Sequence, residues 1–486
     1  MTENETPQLE NIPGITTQAG SPSKIQNEAQ SESGGYEVND TEEVISHSKK
    51  EDSEKSHLPS LNLFSLNLFI SAGEASGDNH GADVIRSLKV LAKDKFKLSM
   101  WGMGGSALKD EGIEILQDSS NLGIIGIADV IKKLPQLWRL ENNLINEIKK
   151  RKPDVALLID YPGLNMRLAA KIKKLVPHCK VIFYIAPQVW AWNSGRIRKI
   201  PKIVDRLLTI LPFEEKLHQE AGTSAKFVGN PSAWVINQLK DLDQDEVIRY
   251  MGLSPDKPVI GIFPGSRDRE IDFMLPVLLE SAKALKAKNP EVQFLLIKAP
   301  TISQEKIDKF FKLHQISDDL IKVKSAEKNT NLFVLQSVDF AWLTSGTVTL
   351  EAACALTPLI LGYRENPIFW RGYLFVRQIS QIGLPNIIAG EEVCTELLQE
   401  NCTPEKWVEI TEKWLSSKEK VKTTKELLKT KVKDVLETTI NPADRVAGEI
   451  LTIHKINYAS LENQIYMREQ AQKNSQETTN KTSILK

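Results

Sequence analysis

The stretch that decides the fold is LFISAGEASGD, residues 68–78, where an apolar run leads into a turn that contains two glycines. The run Leu68–Ala72 predicts a buried strand, and the apolar periodicity near His80–Leu91 predicts a helix soon after the turn. A strand, a glycine-containing turn and a helix in this order are typical of a parallel sheet whose faces are covered by helices.

The same alternation continues along the chain in two series. In the first, the runs Val155–Ile159 and Lys180–Ile185 predict strands, and Leu168–Val176 between them has helical periodicity. The second series follows Gly229-Asn230-Pro231. It predicts strands over Val259–Phe263, Val292–Lys298, Phe340–Leu343 and Pro358–Gly362, and helices over Phe273–Lys288 and Val348–Leu356.

The two series predict an α/β protein with two Rossmann-like, doubly wound domains. We place the first domain at residues 65–229, and the second, with the C-terminal helices, at residues 230–456. Residues 1–64 are rich in Ser, Glu, Asn and Gln, a composition typical of a disordered extension, and residues 457–486 form a polar tail.

Length and charge limit the function classes. At 486 residues the chain is long enough for two domains. Its 62 basic and 63 acidic residues nearly cancel, so the overall charge gives no electrostatic footprint for nucleic acid. No run of about 18 apolar residues predicts a membrane-spanning helix, and the polar, acidic beginning does not resemble a secretory signal. We therefore expect a cytoplasmic protein, with contact to a membrane surface left open.

The seven histidines and four cysteines lack the spacing of a metal site, because the sequence contains neither a CxxC pair nor an HExxH motif. We expect reduced, buried thiols, no metal site built by the protein and no cofactor. The Walker lysine loop and the GxGxxG fingerprint are also absent, which argues against an NTPase and a standard NAD site.

Two carboxylates directly follow predicted strands: Glu74 and Asp160. Doubly wound domains bind ligands at the carboxyl ends of strands, and a carboxylate there loses hydration unless it meets a ligand or partner. This favours a functional role for both, and Ser76 and Asn165 are candidates for substrate contact beside them. The alternative is structural. Ser76 or Asp78 would cap the first helix, Asp160 would serve the turn, and Asn165 would cap the next helix.

A loop with two tryptophans follows the predicted strand that ends at residue 185. Trp190 and Trp192 suit a wall for a sugar or an acyl chain. The cations Arg196, Arg198 and Lys199 suit a rim that attracts anions. The alternative is that a tryptophan anchors the loop onto the core.

Two loops of the second series have the features of a phosphate site. In PGSR, residues 264–267, Ser266 precedes Arg267, whose guanidinium suits bidentate phosphate contact. In TSGTVTLE, residues 344–351, small and hydroxyl residues at a helix start can cradle a diphosphate, namely Ser345, Gly346 and Thr347. Glu351 lies one turn inside, where it can bind ribose hydroxyls. Either loop alone could be an ordinary capped helix, but two in one domain favour a nucleotide-diphosphate site.

Together these blocks resemble the lipid-A-disaccharide synthase family. Eight segments occur in the family's order over residues 68–451: GEASGD from Gly73, IDYPGLN from Ile159, PQVWAW from Pro187, VGNP from Val228, PGSR from Pro264, SGTVTLEAA from Ser345, GYR from Gly362 and LPNIIAG from Leu384. Eight ordered blocks across both domains are far more specific than any one loop.

The resemblance implies a GT-B fold, in which two Rossmann-like domains face a cleft, and an inverting glycosyltransferase. The donor would resemble UDP-2,3-diacylglucosamine, and the acceptor 2,3-diacylglucosamine 1-phosphate. The products would be UDP and a β-1,6-linked disaccharide on the route to lipid A of the outer membrane. The first domain would be the acceptor side and the second would bind the UDP-sugar.

Roles for single residues are also implied by the resemblance. Inversion requires one in-line displacement and one general base for the acceptor hydroxyl. Asp160 is the best candidate for the base and Glu74 would orient a substrate, although which of the two is the base stays open. Residues that would hold UDP are Arg267, Ser345, Thr347, Glu351 and Asn386. Arg267 and the helix start at Ser345 would stabilise the departing diphosphate without a metal ion.

One position departs from the family pattern, and two other functions stay open. Gln188 stands where we expect a small hydroxyl residue, which leaves its contact undecided. A hydrolysing UDP-sugar epimerase shares the fold class and would act on UDP-N-acetylglucosamine without an acceptor. A non-enzymatic nucleotide-binding module at the membrane would not need Glu74 and Asp160. The oligomeric state is undecided, with a homodimer as one option.

The segment Leu122–Leu144 is the candidate for membrane contact. It combines bulky apolar residues with Trp138 and the cations Lys132, Lys133 and Arg139, a composition that suits an anionic headgroup boundary. We therefore expect peripheral contact with the inner face of the inner membrane. The alternative is a core helix kinked at Pro135.

Overall fold

A computed structural model describes residues 64–93, 95–119, 127–191, 194–239, 242–327, 329–377 and 379–454, and for residues 127–134, 375 and 376 it describes the backbone alone. The first half of the chain contains β1 (Phe64–Ala72), α1 (Ala75–Ala92), β2 (Phe96–Gly104), α2 (Ser106–Asp110), β3 (Glu114–Asp118), α3 (Ile127–Arg151), β4 (Val155–Ile159), α4 (Pro162–Leu175), β5 (Lys180–Tyr184), α5 (Ile200–Ile203), β6 (Arg206–Thr209), α6 (Pro212–Glu220) and β7 (Ala225–Phe227).

The second half continues with α7 (Pro231–Gln238), α8 (Gln244–Tyr250), β8 (Val259–Phe263), α9 (Asp268–Lys288), β9 (Gln293–Lys298), α10 (Gln304–Leu313), β10 (Ile321–Ser325), α11 (Thr330–Ser337), β11 (Phe340–Thr344), α12 (Thr347–Cys354), β12 (Leu359–Tyr363), α13 (Pro367–Val376), α14 (Leu384–Ala389), β13 (Thr395–Leu398), α15 (Pro404–Leu415), α16 (Lys418–Leu428), α17 (Asp434–Leu436) and α18 (Pro442–Ile453). A π-helical turn, Lys429–Lys433, joins α16 to α17.

Both sheets are parallel and doubly wound. The first has the strand order β3-β2-β1-β4-β5-β6-β7, and the second β10-β9-β8-β11-β12-β13. In each sheet the order reverses once, between β1 and β4 and between β8 and β11. Such a reversal opens a crevice at the carboxyl ends of the two strands, because their connections leave in opposite directions.

The central strands are apolar on both faces, since helices cover both. All five residues of β4 and all five of β8 are buried. In the first sheet, one face of β1 and β4 packs against α1 and α18, and the other packs against α3 and α4. In the second sheet, α9 and α15 pack around Trp342 of β11, whose ring centroid lies 5.5 Å from that of Trp407.

The last helix packs on the first sheet although it follows the second sheet in the chain. Val446 and Ile450 of α18 are buried in the core formed by α1, β1 and β4. Glu449 on the same helix forms ion pairs with Arg206 at 3.1 Å and Lys226 at 2.9 Å. The end of the described chain therefore ties the first domain to the second.

The predicted α/β class with two doubly wound sheets is confirmed. The predicted strands Val155–Ile159 and Val259–Phe263 coincide with β4 and β8. The predicted helices begin too late: α1 starts at residue 75 and α4 at residue 162, because their first turns carry small or polar residues with little apolar periodicity. The proposed extension and polar tail lie almost wholly outside the described residues, and the domain boundaries stay a prediction.

The segment Leu122–Leu144, the candidate for membrane contact, falls partly within α3. Residues 120–126 lie outside the described part, and α3 runs as a helix from residue 127 through Pro135 to residue 151. Its C-terminal half is in the core through Leu144 and Ile148, whereas Trp138 is 67% exposed. Among the described helices, none has the length and apolar composition needed to cross a membrane.

Candidate active site

Four loops lie at the two points where strand order reverses. Glu74 follows β1 and Asp160 follows β4, and these are neighbouring strands of the first sheet. The loop of residues 264–267 follows β8 and Ser345 follows β11, which are neighbouring strands of the second sheet. The topology therefore brings the two predicted carboxylates together and the two predicted phosphate loops together.

The turn after β1 is packed tightly against the turn after β4. A Cβ atom placed on Gly73 would lie 2.4 Å from Cδ1 of Tyr161, so only glycine allows this approach. Glu74 is the N-cap residue of α1 with an extended backbone, and its side chain makes no capping hydrogen bond. The carboxylate is 35% exposed and points toward the second domain, as its contact there shows.

The alternative role for Ser76 or Asp78 as helix caps is wrong. Ser76 is exposed and belongs to the first turn of α1. Asp78 is buried, and its carboxylate accepts hydrogen bonds from the backbone N–H groups of Gly105 at 2.6 Å and Ala107 at 2.9 Å. Asp78 thus holds the start of α2, a structural role for this carboxylate of the motif.

The turn after β4 has an unusual backbone. Asp160 and Tyr161 both have φ near +47°, a left-handed conformation that costs free energy in residues other than glycine. The N–H of Asp160 donates to the carbonyl of Tyr184 at 2.9 Å, which ties the turn to β5. Strain of this kind persists only where the surroundings impose it, and it is common at functional sites.

Asn165 imposes part of this conformation. Its side chain is fully buried in α4, and Nδ2 donates to the carbonyls of Asp160 at 2.7 Å and Ile159 at 3.1 Å. Oδ1 accepts a hydrogen bond from the hydroxyl of Ser71 at 2.7 Å. Asn165 therefore joins the ends of β1 and β4 and does not cap α4, whose N-cap residue is Tyr161. A direct substrate contact would require it to leave these partners.

The Asp160 carboxyl has the electrostatics of a base that works near neutral pH. Burial raises its pKa to about 6, with a further contribution from the negative charge of Glu74. The N–H of Tyr161 and the positive charge of Arg267 act in the opposite direction. Asp160 thus interacts electrostatically with Glu74 on its own domain and with Arg267 on the other.

Arg267 extends from the second domain toward the first. Its Nη2 lies 3.9 Å from Oε1 of Glu74, and its side chain is 62% exposed. Glu270, in the first turn of α9, accepts hydrogen bonds from the N–H groups of Ser266 at 2.8 Å and Arg267 at 3.2 Å. The guanidinium of Arg267 also donates through Nη1 to Oε1 of Glu270 at 3.3 Å, but its exposure leaves it accessible for a phosphate contact. The amide of Ser266 is already bonded within the protein.

The start of α12 provides backbone donors and a buried acid. Gly346 is its N-cap residue, and a Cβ atom there would meet no described atom within 4 Å, so the backbone is open to a close approach. Ser345 is half-buried and Thr347 exposed. One turn inside the helix, burial raises the pKa of Glu351 to about 7. Its Oε2 is shielded from solvent and has no hydrogen-bond partner among the described residues.

The polar side-chain atoms of Asn386, a predicted UDP contact, are already bonded within the protein. This residue is fully buried in α14, and its Oδ1 accepts hydrogen bonds from the N–H groups of Val393 at 2.8 Å and Cys394 at 2.9 Å. Its Nδ2 donates to Glu396 at 2.8 Å, which also accepts from Gly383. Asn386 orders the loop before β13, and a direct contact with UDP would need these bonds to break.

Trp190 is held beside the site by groups of α6. Its Nε1 donates to Oε1 of Glu214 at 2.9 Å, and its ring packs edge-on against Phe213 at 5.3 Å. Burial raises the pKa of Glu214 to about 8. This bears out an anchoring role for Trp190, whereas Trp192 lies outside the described residues. Gln188 is exposed.

Other polar groups of the site were missed at the sequence level. Glu396 binds the side chain of Asn386 and Glu214 binds that of Trp190, through contacts that no spacing rule reveals. Glu270, one turn beyond the PGSR loop, was visible in the sequence and is the capping-box acid of α9. Within the described residues, no group of three or more His, Cys, Asp or Glu side chains is arranged to hold a metal ion. All four cysteines are free and buried.

Comparison with known proteins decides the family. A family model described as lipid-A-disaccharide synthetase matches residues 68–451. The chain belongs to this family. A lipid-A-disaccharide synthase from Myxococcus xanthus is 39% identical over 345 residues, covering 70% of this chain and 86% of the relative. One from Coxiella burnetii is 36% identical over 339 residues, with the same coverage of both chains. The resemblance seen in the motifs is confirmed, and with it the assignment as a glycosyltransferase.

Solved structures agree on the fold. A putative UDP-N-acetylglucosamine 2-epimerase from Listeria monocytogenes aligns with a TM-score of 0.55 at 11% identity, covering 81% of this chain and 97% of that one. A UDP-GlcNAc 2-epimerase from Neisseria meningitidis aligns with a TM-score of 0.55 at 12% identity, covering 80% and 100%. At such identities the likeness shows the fold alone, so the family match favours the synthase over the epimerase alternative.

Proposed function

We propose that this glycosyltransferase moves 2,3-diacylglucosamine from UDP-2,3-diacylglucosamine to the hydroxyl of 2,3-diacylglucosamine 1-phosphate. The products are UDP and a β-1,6-linked disaccharide. The observation that carries the proposal is that Asp160, an acid with a raised pKa, lies beside Glu74, which meets the accessible cation Arg267 of the second domain, in a chain from this family.

The nucleotide half of the donor fits the second domain. The diphosphate would lie between the guanidinium of Arg267 and the backbone N–H groups at the start of α12, where helix geometry favours negative charge. The ribose hydroxyls would donate to the carboxylate of Glu351, whose Oε2 has no partner among the described residues. Because this oxygen is shielded from solvent, the start of α12 would have to open to admit the ribose. We assign contacts to the hydroxyls of Ser345 and Thr347 at the same helix start.

Asp160 is the better candidate for the base. A general base works best when its pKa lies near the pH of the reaction, and burial moves Asp160 in that direction. Glu74 is the more exposed partner of Arg267, which suits a role in orienting the substrate. A single base is enough, since the α-linked donor yields a β-linked product by one displacement.

The reaction then proceeds in one step. The acceptor oxygen forms a bond to C1 of the donor sugar while the bond from C1 to the diphosphate oxygen breaks. The hydroxyl proton goes to the Asp160 carboxylate, and the electron pair of the broken bond leaves with UDP. Arg267 and the start of α12 stabilise the negative charge that develops on the diphosphate.

Both substrates carry acyl chains, so we propose that the enzyme works at the inner face of the inner membrane. The N-terminal half of α3 is the proposed contact on the first domain, where Trp138 is 67% exposed. The side chains of Ile131 and Leu134 lie outside the described residues.

The proposed function is tested by the release of UDP from purified donor and acceptor, with the product identified by mass. We expect UDP release that requires both substrates and a product with the mass of the joined disaccharide. In the control, UDP-N-acetylglucosamine alone replaces the lipid donor and the lipid acceptor. Release of UDP or a change of sugar in that control, without turnover of the lipid substrates, would assign the chain to the epimerase class.

A further inference from the structure

Helix α13 presents an apolar surface to solvent. Ile368 is 77% exposed, Phe369 43% and Leu374 40%. Among the described residues, the other large apolar side chains of comparable exposure lie singly on five separate helices: Val90, Trp138, Leu175, Leu313 and Val435. Scattered exposed apolar residues are normal, whereas three exposed within two turns of one helix indicate a binding surface, which we call the α13 patch.

The patch lies beside the proposed diphosphate site. The guanidinium of Arg269 lies 4.3 Å from the ring centroid of Phe369 and 2.7 Å from the carboxylate of Glu365, just before α13. Arg269 is two residues beyond Arg267 in the chain. The helix also follows β12 directly, at the carboxyl edge of the sheet that carries the nucleotide loops. A ligand on α13 would therefore lie next to the cleft.

The opposite side of α13 is attached to the domain. Trp370 and Tyr373 are half-buried, and their ring centroids are 5.3 Å apart. The ring of Trp370 also lies 6.2 Å from that of Tyr363 at the end of β12. Ile368, Arg371 and Leu374 therefore follow one another at three-residue spacing along the outward side of an anchored helix. Phe369 lies at the edge of this side, beside Arg269.

The charged side chains of α13 and of the segment that follows it are of one sign. From Asn366 to Gly390 the sequence contains Arg371 and Arg377 and no acidic residue. Arg371 is exposed between Ile368 and Leu374, and the nearest acid before the helix, Glu365, is already paired with Arg269. Large apolar side chains with interspersed arginines match the boundary between acyl chains and anionic headgroups.

We propose that α13 docks the second domain on an anionic lipid bilayer. This rests on the proposed function, because a transferase for diacylated sugars must collect them from such a surface. Ile368, Phe369 and Leu374 insert among the acyl chains, and Arg371 contacts the headgroups. The contact is separate from the one proposed for α3, which belongs to the first domain. With α13 on the membrane, an acylated sugar that leaves the bilayer enters the cleft beside Arg267.

The test compares two triple variants of the full chain. Ile368→Ser/Phe369→Ser/Leu374→Ser removes the patch, and Val90→Ser/Leu313→Ser/Val435→Ser removes three exposed apolar side chains from other helices. Sedimentation with phosphatidylglycerol-containing vesicles is measured for both. We expect the first variant to bind about tenfold or more weakly and the control to bind like the native chain. UDP release from detergent-dispersed substrates should stay within about twofold for both, since no altered residue contacts the reacting groups.

Other results would overturn the proposal in recognisable ways. If the native chain and the first variant bind vesicles equally, α13 does not contact the membrane. Unchanged vesicle binding together with a fall from dimer to monomer in sedimentation velocity would assign the patch to a second copy of the chain. If the native chain releases no UDP from the two lipid substrates, the proposed function is contradicted, independently of the result for vesicle binding.

A single substitution keeps the proposal testable if the triple variant does not fold. Arg371→Glu changes an exposed charge and leaves the apolar residues in place. We expect it to weaken binding to anionic vesicles severalfold, with no change for vesicles of phosphatidylcholine alone. Unaltered binding to the anionic vesicles would contradict the proposal.

Discussion

Nη2 of Arg267 lies 3.9 Å from Oε1 of Glu74, so a residue that follows β8 of the second sheet meets one that follows β1 of the first. An exposed ion pair of this length contributes little to stability. Its importance is positional. It places the only cation of the PGSR loop where it interacts with Glu74 and with Asp160, and so joins the two halves of the proposed site.

Substitution of Arg267 by Ala should weaken UDP binding and slow turnover together. The diphosphate is charged both before and during the reaction, and a charge-assisted contact is worth about 1.5–3 kcal/mol. Calorimetry with UDP measures the first effect and UDP release the second. Arg267→Lys is the matched control and should recover only part of the affinity, because lysine lacks the planar fork. If the Ala variant binds UDP with native affinity, Arg267 does not contact the diphosphate.

The acid side of the pH profile should move in opposite directions in two variants. Asp160 must be a carboxylate to accept a proton, so activity should fall as the pH drops through about 6. Glu74→Gln removes a negative neighbour, lowers the pKa of Asp160 and shifts the midpoint of kcat/KM to lower pH. Arg267→Ala removes a positive neighbour and shifts it to higher pH. Shifts in the same direction, or none, would mean that Asp160 does not govern the profile.

Substitution of Gly73 by Ala should damage both stability and activity. Its Cβ would lie 2.4 Å from the Tyr161 ring, and such overpacking costs about 1–3 kcal/mol. Gly163→Ala is the matched control in the neighbouring turn, because a Cβ there meets no described atom within 4 Å. Thermal unfolding and UDP release should separate the two variants. Equal melting temperatures would show that the two turns are less tightly packed than described.

Glu351→Gln should affect stability in a pH-dependent manner. Burial raises the pKa of Glu351 from 4.5 to about 7, so the folded chain retains a proton that the unfolded chain loses. Stability of the native chain therefore falls as the pH rises from about 4.5 to 7, and the Gln variant avoids this loss. We expect the variant to melt higher at pH 8, melt alike at pH 4, and bind UDP more weakly. A melting difference that is the same at both pH values would contradict this assignment.

The parts of the fold that sequence patterns predict are those governed by local periodicity. β4 and β8 are continuous apolar runs bounded by turn residues, and a buried strand in a two-sided sheet must have that composition. The strand-end acids Glu74 and Asp160 were predictable for the same reason, because the end of an apolar run marks the carboxyl edge. Their assembly follows from the strand order.

What sequence patterns did not predict depends on contacts between distant residues. Asp78 binds the amides of Gly105 and Ala107, and Asn165 binds Ser71, 94 residues away. A polar residue in a motif looks the same in the sequence whether its side chain binds substrate or holds in place the loop that binds substrate. For Asn165, the motif gave no sign that its polar atoms are bonded within the protein.

The most direct test of the account is Asp160→Asn, assayed for both turnover and UDP affinity. Asn has nearly the same size and cannot accept the acceptor's proton, and loss of a general base costs about 10²–10⁴-fold. We predict that kcat falls by this factor while the dissociation constant for UDP stays within about twofold, since we assign UDP to the second domain and Asp160 belongs to the first. Near-native turnover would show that Asp160 serves only the turn after β4 and would make Glu74 the candidate base.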